Sequence, residues 1–203
     1  MELTVGGIDE GVRIPERHAF CAGAEMGDNV SPSLTWSGVP EGTRSIAISC
    51  VDPDVPSDPT DVNQEGRTVP ADLSRISFAH WLLVDLPADA TSLAEAAEGT
   101  GIVAQGKPVD GGALGGVRGA NDFTSWFEGD EEMGGTYGGY DGPCPPWNDS
   151  IMHHYTFTVH ALDIDSLGLS PGYRLADFES AIDGHVLASA SVTGLYSLNP
   201  DVT

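Results

Sequence analysis

Ser45-Ile46-Ala47-Ile48-Ser49-Cys50-Val51-Asp52-Pro53-Asp54-Val55-Pro56 is a short apolar run that stops on Asp-Pro-Asp. A run of this kind reads as a buried strand, with two carboxylates delivered at its end. Phe78 to Val84 repeats the pattern and stops on Asp85-Leu86-Pro87. Tyr155 to Leu162 alternates, placing Tyr155, Phe157, Val159 and Ala161 on one face and Thr156, Thr158, His160 and Leu162 on the other. Strands hold the side chains at a shared end with little freedom to wander. Four polar motifs at the ends of apolar runs are therefore expected to converge on one pocket: Val51 to Pro56, Phe78-Ala79-His80-Trp81, Gly142-Pro143-Cys144-Pro145-Pro146, and His153-His154-Tyr155.

The rest of the chain is organised around these strands. Ser57–Arg75, Gly106–Gly119 and Glu128–Gly139 are polar and rich in Gly and Pro, so they read as surface loops walling or covering a site. Leu175, Phe178 and Ile182 follow helical spacing with Gly184 as a stop, and His185 to Ala190 is expected to begin a second helix. Ser92-Leu93-Ala94-Glu95 has capping-box spacing but room for only a turn or helical stub. No internal repeat appears. Residues 1–203 are expected to form a single, mainly β domain, long enough to bury a proper core.

Composition limits the partners. Thirty-one acidic residues face 8 basic ones, for a formal charge of −23, and Lys107 is the only lysine. The acidic residues are spread throughout and 40% of the chain is hydrophobic, which points to a folded protein adapted to high salt rather than to an acidic tail. Nucleic acid and anionic membranes, which need clustered Lys and Arg, are not expected partners. No apolar stretch approaches the ~18 residues of a membrane span, and Met1 to Val5 lacks a basic region before an apolar one, so a cytoplasmic protein without stable membrane insertion is expected. Cys21, Cys50 and Cys144 are odd in number and widely spaced, which suggests free thiols in a reducing compartment. Asn148-Asp149-Ser150 matches the glycosylation pattern, but that pattern is common by chance and needs export.

The expected pocket offers several chemistries. A carboxylate beside an imidazole favours the protonated ring, which can present a positive N–H to a phosphate or carboxylate. Tyr155 supplies a hydroxyl, backbone N–H groups near Gly142 and Cys144 could add donors, and Asp52 and Asp54 could accept from an ammonium group. A hydrolase with Cys144 as nucleophile and His153 as base is one alternative, and a metal site built from Asp52, Asp54, His80 and His153 is another. Gly111–Gly119 lacks the Gly-Lys-Ser/Thr of a phosphate loop and reads as a flexible lid, with Arg118 in reach of an anion.

Six motifs then appear in one order: Asp52-Pro53-Asp54-Val55-Pro56, His80-Trp81 followed by Asp85-Leu86-Pro87, Gly119-Ala120-Asn121-Asp122-Phe123, Gly142 to Pro146, His153-His154-Tyr155, and Gly184 to Ala188. With the upstream Asn29 to Trp36, this order resembles the phosphatidylethanolamine-binding protein family, and within it the bacterial and archaeal Raf kinase inhibitor-like branch. The likeness spans residues 20–197. It implies an antiparallel Greek-key β-sandwich with a few peripheral helices and a small anion pocket. It places Asp52, His80, His153 and Tyr155 in that pocket, Asp54 beside it, and Gly142, Pro143 and Cys144 in one wall. The animal branch has Gly at Cys144 and a basic residue at His154, and the Asp58–Ser77 connection is longer than usual. The implied function is binding of a phosphate-like anion or a phosphoethanolamine-type head group, with regulation of a protein partner as a further expectation. A binding protein is favoured over an enzyme, no cofactor is called for, a homodimer remains open, and kinase inhibition does not transfer.

Overall fold

The computed structural model describes residues 1–23 and 25–202. In chain order the strands are β1 (Glu2–Val5), β2 (Cys21–Ala22), β3 (Glu25–Met26), β4 (Leu34–Ser37), β5 (Ser45–Pro56), β6 (Arg75–Pro87), β7 (Ser92–Leu93), β8 (Val117–Arg118), β9 (His153–Leu162) and β10 (Val186–Tyr196). Two α-helices accompany them, α1 (Phe123–Trp126) and α2 (Leu175–Ile182). The chain is thus mainly β.

A five-stranded antiparallel sheet runs β10-β9-β5-β6-β8. Strands β5 and β6 lie inside it and are covered on both faces, which is why they read as continuous apolar runs. On one face Ile46, Ile48, Cys50, Trp81 and Leu83 share a core with Leu34 and Trp36 of the smaller sheet β1-β4-β7. On the other face Ala47, Ala79, Leu82 and Val84 pack against Phe178 of α2 and the nearby Tyr173. Each buried large apolar side chain contributes ~1.5–3 kcal/mol relative to exposure, so this double-sided packing sets the register.

All three expected strands form and extend beyond their apolar runs. Strand β5 continues through the Asp-Pro-Asp motif; besides a register shift between Ile46 and Ile48 near its start, it has two more, between Cys50 and Val51 and between Asp52 and Val55. Such irregularities re-aim side chains, and the last two lie at the polar end of the sheet. Strand β9 begins at His153, so period two places His153 on the inward face with Tyr155 while His154 faces out.

Three expectations are corrected. His185–Ala190 does not begin a helix; Val186–Tyr196 is the edge strand β10, paired along the whole of β9. Differences in helix preference reach only ~0.7 kcal/mol per ordinary residue, and the pairing and burial of residues such as Tyr196 outweigh them. Of the expected turn or helical stub, Ser92–Leu93 is instead a short strand against β4, and the turn follows it at residues 95–98. The glycine-rich 111–119 segment is not a lid: Val117 and Arg118 pair with Val84 and Leu83, and Arg118 is locked to the fully buried Glu98 at 3.0 and 3.2 Å. Arg118 is therefore committed to the far edge of the sheet. The α2 expectation holds, with Gly184 at φ +79° ending the turn beyond it.

Candidate functional site

At the polar end of β5, β6 and β9 a cavity of about 250 Å3 opens to solvent. That is just under the ~300–1,000 Å3 of drug-sized sites, so it suits a small ligand or the head of a larger one. Asp52, His80 and Tyr155 form a polar floor, and Phe20, Phe78, Phe123 and Phe127 make an aromatic wall. Phe20 stacks on Phe123 at 4.4 Å, and Phe78 meets Phe123 edge-on at 5.3 Å, so the wall is one interlocked cluster. Trp126 and Met26 stand at the mouth, 48% and 59% exposed.

His153 sits behind the floor, wholly buried between two carboxylates. Its Nδ1 lies 2.7 Å from Asp52 Oδ2 and its Nε2 3.1 Å from Asp149 Oδ2. A neutral imidazole has only one N–H, so donation to both carboxylates requires the imidazolium. Burial alone would depress its pKa, but the hydrogen bonds and charges of Asp149 and Asp52 push it up to about 9. Arg75 closes the chain, meeting Asp149 at 2.5 and 3.0 Å. Although burial opposes it, hydrogen bonds from His153 and Arg75 hold the Asp149 carboxyl below its ordinary value. The charges thus alternate Arg75, Asp149, His153, Asp52, and only Asp52 faces the cavity.

His80 is held differently. Its Nδ1 is 2.7 Å from the Asp141 carbonyl oxygen, so that nitrogen carries the proton and donates. Burial lowers its pKa, with Asp52, the Asp141 carbonyl, Asp122 and the Asp141 charge opposing. The neutral ring therefore offers an Nε2 lone pair rather than a positive N–H. Burial first, and then the neighbouring Asp52 charge, keep the Tyr155 phenol well above its ordinary pKa and so protonated.

A buried network fixes the Asp141 carbonyl. Lys107 Nζ reaches Asp141 Oδ1 at 2.5 Å and the Tyr140 carbonyl at 2.9 Å. Asn29 and Asn121 donate to the two Asp141 carboxylate oxygens at 2.7 and 2.8 Å. Asn29 also accepts the Gly142 N–H at 2.9 Å. A Cβ at Gly142 would lie 1.9 Å from the His18 carbonyl oxygen, so glycine is needed for that approach. Gly142 and Pro143 thus brace the wall from behind: the Gly142 donor is occupied, and the Pro143 carbonyl accepts from Phe20 and Cys21. Asp54 also turns away, accepting from both the backbone and the ring of the exposed His154 at 2.9 and 2.8 Å.

Cys21 and Cys144 are joined in a disulfide that lines the wall, with Pro145 and Pro146 beside it; Cys50 remains a buried thiol. The expectation of three free thiols is therefore corrected, and the reducing compartment loses that support. Sequence spacing missed the bond because 123 residues separate its ends. A sulfur held in a disulfide is no thiolate nucleophile, and both nitrogens of His153 are engaged, so neither half of the Cys144–His153 hydrolase reading is in place. Among the described residues, no group of three or more His, Cys, Asp or Glu side chains is arranged to hold a metal ion.

Sequence reading also missed Arg75, Asp149, Asp141 and Lys107. The one available signal was Lys107, a single lysine kept in so acidic a chain. The unusually long connection between β5 and β6 is tied down as well. Asn148 Nδ2 reaches the carbonyls of Asp61 and Arg67 at 2.8 and 3.1 Å, and its Oδ1 accepts the Asn63 N–H at 2.9 Å. This seats Pro59, Val62 and Asn63 as the outer wall.

The architecture is thus a mainly β fold with a small, aromatic-walled pocket at one sheet end. Over residues 6–197 the chain matches the family described as phosphatidylethanolamine-binding protein, and it belongs to that family. The UPF0098 protein YbhB of Escherichia coli (strain K12) is 34% identical over 97% of this chain and 100% of its own. A UPF0098 protein of Methanothermobacter thermautotrophicus is also 34% identical, over 97% of this chain and 98% of its own. Among solved structures, E. coli YbcL, described as a new member of the mammalian PEBP family, aligns with TM-score 0.69 and 31% identity over 97% of both chains. The Chlamydia trachomatis protein CT736, described as a putative phosphatidylethanolamine-binding protein homologue, aligns with TM-score 0.64 and 27% identity, covering 97% of this chain and 96% of its own.

Proposed function

We propose that this protein binds the polar head of a small amphiphile, of the phosphoethanolamine type, and that the bound state regulates a protein partner. The observation that carries the reading is the floor of Asp52, His80 and Tyr155 beneath an aromatic-walled cavity. A zwitterionic head satisfies such a floor through its ammonium, and its apolar remainder lies against the rings. The family description points the same way. In this reading the two packed sheets are a Greek-key β-sandwich, and the acidic surface is an adaptation to molar salt in the cytoplasm of a halophile.

A bare phosphate is a weaker fit at neutral pH, because His80 must first take a proton against the cost of burial. Its affinity is expected to rise as pH falls below the ordinary histidine range. Calorimetry with phosphoethanolamine tests the site: His80→Ala should weaken binding by about 1–3 kcal/mol at a temperature where the variant, its melting temperature lowered by the lost buried hydrogen bond to Asp141, is still folded. Equal affinity in wild type and His80→Ala would remove His80 from the site and the reading with it.

A further inference from the structure

One wall of the cavity is closed by a covalent bond. Cys21 and Cys144 are joined across 123 residues, both are partly exposed, and both line the open cavity beside the cluster of Phe20, Phe123 and Tyr137. Cys21 opens the β2–β3 hairpin, which belongs to neither packed sheet. The hairpin pairs only with itself, Cys21 with Met26 and Ala22 with Glu25. Two strands this short are at best marginally stable on their own in water. The chain is anchored on either side, by the buried Phe20 ring stacked on Phe123 and by Gly27, whose N–H donates to the Phe20 carbonyl at 2.8 Å. Between these anchors, among the described residues, the hairpin's bonds to the rest of the molecule all run through Cys21. Its N–H donates to the Pro143 carbonyl at 3.0 Å, an acceptor shared with Phe20, its carbonyl accepts the Tyr196 hydroxyl at 2.8 Å, and its sulfur holds Cys144. Met26, directly opposite Cys21, is the hairpin residue at the cavity mouth, so what holds Cys21 also holds one side of that mouth.

We propose that the Cys21–Cys144 disulfide is a thiol–disulfide exchange site for a dithiol reductant, and that its reduction frees the β2–β3 hairpin and loosens the cavity's hold on its ligand. This rests on the cavity being the ligand site proposed above, and it gives that site a regulatory input. A thiolate of the reductant attacks one sulfur of the pair, and the Cys21–Cys144 bond breaks as a mixed disulfide forms. The reductant's second thiol then displaces the protein sulfur. Two electrons and two protons pass to the protein, so Cys21 and Cys144 end as thiols and the dithiol ends as a disulfide. Exchange needs access, which the open cavity provides at both cysteines. Cys50 does not intercept the mixed disulfide: it is buried, and burial first and then the Asp52 charge push its thiol well above the usual range, so it supplies no thiolate.

The test uses the folded wild-type protein in molar KCl, treated with dithiothreitol and then freed of it under argon. Iodoacetamide should then label Cys21 and Cys144 but not the buried Cys50. Labelling that appears only in denaturant would show the bond closed to a dithiol and overturn the exchange site. By NMR, reduction should speed amide exchange at Cys21 and Gly27 about 10-fold while β5 and β9 keep their protection, and by calorimetry it should weaken phosphoethanolamine about 3-fold, as expected for a wall no longer pre-organised. Re-oxidation should restore both. The double variant Cys21→Ser, Cys144→Ser should match the reduced wild type and ignore dithiothreitol, and reduction of the already folded wild type decides even where that variant fails to fold. Unchanged amide exchange and affinity after complete reduction would overturn the control of the cavity by this bond. If phosphoethanolamine binds neither form, the cavity reading falls and the loosened hold on a ligand falls with it, whereas labelling and amide exchange still decide the exchange site and the release of the hairpin.

Discussion

His153 illustrates how a residue can belong to a site without touching a ligand. Lodged between Asp52 and Asp149, it serves as a fixed internal cation that lets a carboxylate stand at the bottom of a largely apolar cavity. This sets the pH dependence of stability. The folded pKa of about 9 lies above the ordinary 6.5, so the stabilisation is complete below pH 6.5 and is lost as pH rises through 9. A shift of that size corresponds to roughly 3 kcal/mol. Urea midpoints should therefore fall between pH 6.5 and 9.5 in the wild type, and His153→Gln should be less stable at pH 6.5 but flat across the window. Identical slopes in the two proteins would show that His153 is not the titrating cation. At this scale the sequence was partly legible. Asp52, His80, His153 and Tyr155 do come together, because period two on one strand and matched strand ends leave few other arrangements. Their protonation states were not legible, because these depend on Asp141 and Asp149 from a distant loop and on Arg75 at the start of β6.

Among the elements, the strands buried on both faces were the most legible, since their packing writes itself as uninterrupted apolar residues. The edge strand β10 was the least. It is largely exposed, so Leu187, Ala188, Ser189 and Ala190 carry no β signal of their own and take their form from pairing with β9. The long segment between β5 and β6 was legible as a loop, but not as a held one. Much of its order comes from one side chain, since Asn148 accepts from Asn63 and donates to Asp61 and Arg67, with backbone contacts at Val69 and Ser150 beside it. Asn148→Ala is expected to speed amide exchange across residues 61–69 by an order of magnitude or more, as roughly 1–3 kcal/mol of buried hydrogen bonding is lost, while β5 and β6 keep their protection. Ligand affinity should fall with it, because Pro59 and Val62 form the outer wall. Unchanged exchange in that segment would mean that the Val69 and Ser150 contacts suffice to hold it.

Across the whole molecule, all 8 basic residues are already committed. Arg17, Arg44, Arg67, Arg75, Lys107, Arg118 and Arg174 sit in ion pairs, and Arg13 lies over the Tyr196 ring at 4.4 Å. Thirty-one acidic residues outnumber these 8 cations, so at low ionic strength the repulsion of the unpaired carboxylates acts on the folded chain over a Debye length of ~30 Å at 0.01 M. At 1 M that length shrinks to ~3 Å and the repulsion between separated carboxylates is nearly removed. The melting temperature is therefore expected to climb steeply between 0.01 and 1 M KCl and to flatten above it. The same field acts on an approaching ligand with a sign that depends on the ligand's charge. Association of an ammonium probe should slow as salt rises from 0.2 to 1 M, whereas that of phosphate should quicken, and stopped-flow measurement with the protein kept folded throughout separates the two. A melting temperature indifferent to salt would mean that the 31 acidic residues are not a salt adaptation. An ammonium rate that rises with salt would mean that the cavity mouth lies outside the field those residues create.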